Sequence, residues 1–229
     1  MEAILLDIEG TTTPIDFVHQ TLFPFARRRM AKFVEENFSL LTDEIKSLKT
    51  EHEEDYVKEF DGNAPASIAD YLKFLIDEDR KSTALKSVQG KIWRIGYESG
   101  ELKSEVFADV PRAFTRWREQ GKTIAIYSSG SVLAQKLIFR HSNCGDLTAF
   151  IADYFDTNVG GKKEPASYRK IAAAINFPAA EIAFVSDLEA ELDAAKAAGL
   201  KTVLSIRKGN APLDKQMSHL TVKSFDEME

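Results

Sequence analysis

The chain has 229 residues, a formal net charge of −6, 44% hydrophobic content and a single cysteine. That is enough apolar material for one large or two smaller domains with real cores. The acidic balance argues against a general nucleic-acid binder, and one cysteine excludes an intrachain disulfide or a cysteine metal cluster. No basic region followed by an apolar run opens the chain, and no apolar run approaches the ~20 residues that span a bilayer. The expectation is a cytoplasmic protein with no membrane segment.

In chain order, Ala3-Ile4-Leu5-Leu6 reads as a strand buried on both faces. It delivers Asp7 and Glu9 to its carboxyl end, where Gly10 allows a sharp turn. In open α/β sheets ligands bind beyond the carboxyl ends of strands. A carboxylate there can serve as nucleophile or Mg²⁺ ligand, or simply cap a helix. From Asp16 to about Val110 the pattern is helical. Pro24 opens one stripe (Ala26, Met30, Phe33, Val34), a second starts near Ser67 (Ile68, Tyr71, Leu72, Leu75), and a third runs Leu85, Val88, Ile92. The charged stretch Thr42 to Asp61 reads as an exposed helix with a loop.

From Pro111 helices and strands alternate. Val110 to Gln120 is helical; Thr123 to Tyr127 is a strand; Ser131 can cap a helix through Arg140. Phe150 to Tyr154 is a strand, Tyr168 to Ile175 a helix, and Ile182 to Val185 a strand. Leu188 to Ala198 is a helix closed by Gly199, and Thr202 to Ile206 a strand. Such alternation predicts right-handed βαβ units and a parallel sheet. Residues 1–15 and 110–229 are therefore expected to form an α/β core, interrupted by an all-helical segment, 16–109. The acidic tail Asp226 to Glu229 is expected to fray. Cys144 reads as a partly buried core residue, Trp93 and Trp117 as packing, and His52, His141 and His219 as surface residues.

Each core strand ends in a polar group. Ser128-Ser129-Gly130-Ser131 follows the second strand. Its hydroxyls and the N–H groups of the next helix could seat an anion, or Ser131 could be an ordinary cap. Lys162 lies in the loop Gly160-Gly161-Lys162-Lys163 and could reach a phosphate. Ser186-Asp187 ends another strand. Asp187 could hold Mg²⁺, with Glu191 one helical turn on to orient it, or it could cap the helix. Together these groups fit attack of a carboxylate on phosphorus, hydrolysis of the aspartyl phosphate by water, and a Mg²⁺ ion to cancel charge between anions.

The set Asp7-x-Glu9-Gly10-Thr11, Ser128, Lys162 and Asp187 resembles the four motifs of the haloacid dehalogenase (HAD) superfamily of phosphatases. The resemblance implies a HAD-like parallel-sheet core with an inserted helical cap. It implies Asp7 as nucleophile and Glu9 as general acid/base. Ser128, Ser129 and Lys162 would hold phosphate, and Asp7, Asp187 and the backbone carbonyl of Glu9 would hold Mg²⁺. Glu9 stands where the superfamily usually has Asp, and one family carries that Glu: the enolase-phosphatases, or acireductone synthases, of methionine salvage. Ile8 to Ile15, Tyr127 to Val132, Phe155-Asp156-Thr157, Ser167 to Ile171 and Arg207 to Ala211 are similar to that family. The implied reaction converts 2,3-diketo-5-methylthiopentyl-1-phosphate to the acireductone 1,2-dihydroxy-3-keto-5-methylthiopentene and phosphate. Enolisation comes first, and Glu9, one methylene longer than Asp, could reach the carbon acid. His19 could face the site from the cap. The implied substrate is a small phosphate ester, and since no interface stripe stands out in the sequence, a monomer is expected. The alternative is a HAD phosphatase for another small ester without enolase activity. A phospho-acceptor switch is disfavoured by Glu9 and by the long helical insertion.

Overall fold

The computed structural model describes residues 1–52, 56, 58–80, 82–210 and 218–228. Contacts divide the chain into two compact units: Met1–Val18 with Lys103–Glu229, and His19–Leu102.

The first unit is built on a six-stranded parallel sheet. The strands are β1 (Ala3–Leu6), β2 (Thr123–Tyr127), β3 (Ile151–Phe155), β4 (Ile182–Ser186), β5 (Lys201–Ser205) and β6 (Leu220–Val222), in the order β3-β2-β1-β4-β5-β6. All four residues of β1 are buried, as a strand covered on both faces requires. Fully burying each Ile or Leu contributes about 1.5–3 kcal/mol, so Ile4, Leu5 and Leu6 favour the central, doubly covered position that β1 takes. The strand order reverses between β1 and β4, and the crevice at such a reversal is where ligands bind in this class of sheet. Leu6 pairs with Val185 on one side and Ile126 on the other. That register sets Asp7 beside Ser186 and one residue short of the Ser128 level.

The helices of this unit are α1 (Ile15–Phe17), α6 (Val110–Glu119), α7 (Val132–Arg140), α8 (Pro165–Ala174) and α9 (Glu189–Ala197). Ser131 caps α7, accepting from the Ala134 N–H at 3.4 Å. β3 starts one residue later than expected because Phe150 closes a short 3₁₀ turn. β6 went unpredicted: it is three residues long, and Leu220 is largely exposed.

Three expectations are corrected in this unit. The acidic tail does not fray: Phe225–Glu227 forms a 3₁₀ turn with a Ser224/Glu227 capping box, Phe225 is buried and Asp226 pairs with Arg112, while Glu229 lies outside the described residues. Cys144 is exposed, on an irregular segment rather than in the core. His219 is buried; its Nδ1 lies 2.8 Å from the Thr202 hydroxyl and its Nε2 3.2 Å from Asp193, so its ring is satisfied inside the sheet edge.

The second unit is helical: α2 (Phe23–Asn37), α3 (Thr42–Glu51), α4 (Pro65–Asp77) and α5 (Thr83–Glu98). Helices α2 and α4 pack together, as do α3 and α5. The Trp93 indole N–H donates to the Leu22 carbonyl at 2.9 Å. A Cβ at Gly96 would fall on the Phe25 ring, so glycine there lets α2 and α5 approach. Helix α3 is not simply exposed: Ile45 and Leu48 are buried, and Glu44 accepts from Ser87 and Lys91 at 2.6 and 2.5 Å. Of the Thr42 to Asp61 stretch, residues 53–55 and 57 lie outside the described residues. No helix among the described residues is long and apolar enough to cross a membrane.

Candidate active site

Asp7 follows directly on β1 and is buried. Its backbone N–H donates to the Val185 carbonyl at 3.0 Å, so the sheet ladder runs up to the carboxylate. The chain then closes a tight loop. The N–H groups of Thr11, Thr12 and Thr13 converge on the Ile8 carbonyl, and the Gly10 N–H donates to the Thr13 carbonyl at 2.8 Å. Gly10 has φ +65°, a conformation that L side chains adopt only with strain. It is required twice over, because a Cβ there would lie 2.8 Å from the Asp187 Cγ and 2.9 Å from the Asn210 Oδ1.

The far end of the sheet fastens this loop. Asn210 Nδ2 donates to the Gly10 carbonyl at 3.0 Å, with the Ser205 hydroxyl at 3.3 Å, and Arg207 Nε donates to the Thr11 carbonyl at 3.3 Å. Arg207 is itself held: its guanidinium lies 4.6 Å from the rings of both Phe107 and Phe225 and pairs with Asp109 at 2.8 Å. Asp109 in turn accepts from the Phe225 N–H at 2.6 Å. Ala211, the last residue of that similar stretch, lies outside the described residues.

Around the Asp7 carboxylate the structure gathers Lys162, Ser186, Asp187 and Glu191. Lys162 Nζ lies 2.7 Å from Asp7 Oδ1 and 2.7 Å from Glu191 Oε2, with a largely buried side chain. Burial works to lower the Lys162 pKa, but the charges of Asp7 and Glu191 outweigh it and hold it above the usual value. Glu191 is pushed up, by burial first and then by Asp7. The Ser186 hydroxyl lies 3.0 Å from Glu191 Oε2 and 3.4 Å from Asp7 Oδ2 and gives its one proton to one of the two. Glu191 was expected to orient Asp187. Its bonds run to Lys162 and Ser186 instead, because the first turn of α9 directs it under the ends of β1 and β4.

Asp187 is not a helix cap; Leu188 occupies that position. It is half-buried against Gly10, and its pKa is pushed up to about 7, by burial first and then by the Asp7 charge. Three carboxylates thus share one ammonium, which contacts Asp7 and Glu191 and only partly offsets the burial and the Asp7 charge felt by Asp187. The donors are all hard oxygens. Among the described residues no group of three or more His, Cys, Asp or Glu side chains could by itself hold a metal. The hard carboxylate oxygens of Asp7 and Asp187 are donors of the kind Mg²⁺ takes, one or two carboxylates completed by phosphate and water.

The serines divide their work. Ser131 caps α7, and Val132 N–H donates to Asp156 at 3.4 Å, so the first turn of the helix is partly satisfied within the protein. Ser128 is buried, its hydroxyl accepts from the Gly130 N–H at 3.3 Å, and its own N–H donates to the Phe155 carbonyl. Ser129 is half-buried in the same loop. Glu9 is half-buried, bridged through its backbone to Thr13. Lys163 is exposed. His19 belongs to the helical unit, where its exposed ring sits edge-on to Phe23 at 5.5 Å.

Sequence reasoning missed the groups that orient these side chains. Ser186, Ser205, Tyr127, Ser167 and Tyr168 all lie in or beside strands and helices that were recognised. Nothing in their spacing says which distant carbonyl or carboxylate they meet.

A model of the haloacid dehalogenase-like hydrolases matches residues 1–199. The chain is 49% identical to enolase-phosphatase E1 of Synechococcus elongatus, over 98% of this chain and 96% of that one. It is 48% identical to enolase-phosphatase E1 of Leptospira borgpetersenii (98% and 97% covered) and 44% identical to that of Drosophila persimilis (99% and 94%). Among solved structures, the UTR4 protein of Saccharomyces cerevisiae superposes with a TM-score of 0.83 at 34% identity, covering 99% of both chains. CbbY of Rhodobacter sphaeroides in complex with phosphate shares the fold, with a TM-score of 0.61 at 18% identity over 99% and 96% of the two chains.

Proposed function

Because this chain belongs to the enolase-phosphatase E1 family of haloacid dehalogenase-like hydrolases, we propose that Asp7 carries its phosphatase chemistry as the nucleophile. The enzyme is an acireductone synthase of methionine salvage, converting 2,3-diketo-5-methylthiopentyl-1-phosphate to the acireductone and phosphate. The observation that carries the site assignment is the Asp7–Lys162–Glu191 ion triad at the sheet's reversal point, with Asp187 beside it.

Asp7 attacks phosphorus and the bond to the enol oxygen breaks, leaving an aspartyl phosphate. Glu9 gives the leaving oxygen its proton and then takes one from the water that hydrolyses the acyl phosphate. The same side chain is our assignment for moving the carbon-bound proton during enolisation. Lys162, already against Asp7, holds a phosphate oxygen as a point charge, and Ser128 and Ser129 bind the others. Mg²⁺, held by Asp7, Asp187 and the Glu9 carbonyl, would supply the charge neutralisation that lets one anion approach another. At 4 Å two unit charges repel by about 4 kcal/mol at an effective dielectric of ~20, so without counter-charges the site repels its substrate. The reading gives residues 16–109 the role of a substrate-selecting cap and takes the enzyme as a cytoplasmic monomer, which light scattering and cell fractionation check.

The deciding experiment offers the diketone phosphate and a generic phosphate ester side by side. Ultraviolet absorbance of the enol and release of phosphate are expected from the first. Phosphate release from both without any enol would leave a plain phosphatase and refute the enolase half.

A further inference from the structure

The glycine loop that carries Lys162 is held in an unusual way. Three consecutive carbonyls each receive a hydroxyl. Tyr127 OH donates to the Gly160 carbonyl at 2.8 Å, Ser167 Oγ to the Gly161 carbonyl at 2.8 Å, and Tyr168 OH to the Lys162 carbonyl at 2.6 Å. Two adjacent glycines would otherwise leave this segment with a wide choice of backbone conformations. Gly160 has φ +142°, and a Cβ there would fall on the Ser167 hydroxyl, so the close approach of that hydroxyl depends on glycine.

The two phenol donors sit in the core. The rings of Tyr127 and Tyr168 are fully buried, edge to face at 5.5 Å, and Tyr168 packs on Phe184 of β4 at 5.0 Å. Burial pushes both phenols up, so both remain protonated donors through the working range of pH. A lysine side chain has four rotatable bonds, and a point charge is useful only where it is placed. Here the backbone from which it hangs is fixed at three successive peptides.

We propose that the hydroxyls of Tyr127, Ser167 and Tyr168 are positioning groups for the phosphate-binding cation, fixing carbonyls 160–162 so that Lys162 Nζ stands between Asp7 and Glu191. None of the three needs to touch substrate. The inference rests on Lys162 binding phosphate, and it extends the site from a list of charged groups to the core contacts that place them.

The test uses the full chain with Mg²⁺ and inorganic phosphate as the probe, both affinities read by calorimetry. Tyr168→Phe keeps the ring and removes one donor; Tyr168→Phe with Ser167→Ala removes two. Phosphate affinity is expected to fall at least threefold in the first and tenfold in the second. Mg²⁺ affinity should not fall, because Asp187 and the Glu9 carbonyl lie outside the fastened loop and an ammonium displaced from Asp7, the third proposed ligand, repels the ion less. A general structural role would weaken both together, and that result overturns the inference, as does unchanged phosphate affinity. In a Lys162→Met background, Tyr168→Phe should alter phosphate affinity by less than twofold, since there is no ammonium left to place; an undiminished effect there overturns the clamp. If Lys162→Met alone leaves phosphate affinity intact, the assignment of Lys162 itself has failed and the inference falls with it. Should the two-residue variant not fold, the phosphate-against-Mg²⁺ split in Tyr168→Phe decides.

Discussion

Replacing Lys162 by Met would keep the stem and remove the ammonium from a site where two carboxylate oxygens lie 2.7 Å away. Removing one partner of a buried ion pair costs about 3–5 kcal/mol, because a charge is left without compensation. Glu191 relieves part of that cost. Its pKa already sits above 4.5, so without the ammonium it takes up a proton in the folded state sooner than in the unfolded chain. Lys162 itself is charged throughout this range, since its folded pKa lies above 10.5 and its contribution is lost only when pH rises beyond that. The pH dependence of the variant therefore belongs to the carboxylates. Its deficit should be about 3 kcal/mol at pH 8 and smaller at pH 5, because the raised Glu191 carboxyl takes up its proton in the folded state first as pH falls. Urea unfolding in chelator at the two pH values measures this, and adding Glu191→Gln to the variant should restore part of the loss at pH 8. A Lys162→Met protein as stable as its parent at pH 8, or a deficit that does not change with pH, would refute the charge accounting.

Asp7→Asn should abolish phosphate release while leaving the chain folded, as read by phosphate assay and circular dichroism; residual turnover within tenfold of the parent argues against Asp7 as nucleophile. Chelating divalent ions should stop turnover, and added Mg²⁺ should restore it; activity in full chelation would mean that Lys162 alone suffices as counter-charge. Gly10→Ala should lose about 1–2 kcal/mol from its positive φ alone, before the clash with Asp187, and should raise the Mg²⁺ concentration needed for half-maximal activity. In the helical unit, burial pushes the Glu44 carboxyl up, but the bonds from Lys91 and Ser87 take it below its ordinary value. Glu44→Gln should therefore cost about 1–2 kcal/mol above pH 4.5, a difference that fades as pH falls through the folded value; a gap that stays constant down to pH 3 would contradict this.

The residues carrying charge were legible because chemistry and position coincide: Ala3–Leu6 is an unbroken apolar run, so Asp7 and Glu9 directly after it must emerge at a strand end. The same logic found Asp187 after Ile182–Val185 and the helix cap at Ser131. Partner choice across the fold was not legible. Glu191 was expected one helical turn after Asp187 and lies in the first turn of α9, but spacing along a helix says nothing about which neighbour lies opposite, and it meets Lys162. His219 looked like a surface residue because it precedes the short, partly exposed β6, and only the pairing of β5 with β6 shows that its ring faces inward. Tyr127 donates to a carbonyl 33 positions away, a pairing that no local pattern encodes.

Arg207, which holds the Thr11 carbonyl of the loop that bears Asp7, lies 196 positions further along the chain and is held in turn by Phe225. The loop closes on itself through the Ile8 and Thr13 carbonyls, but its outward carbonyls at Gly10 and Thr11 find their partners in residues 205–210. Residues about two hundred positions apart in the chain therefore set the backbone beside the Asp7 carboxylate together, and a chain cut between them keeps the acid but loses that support.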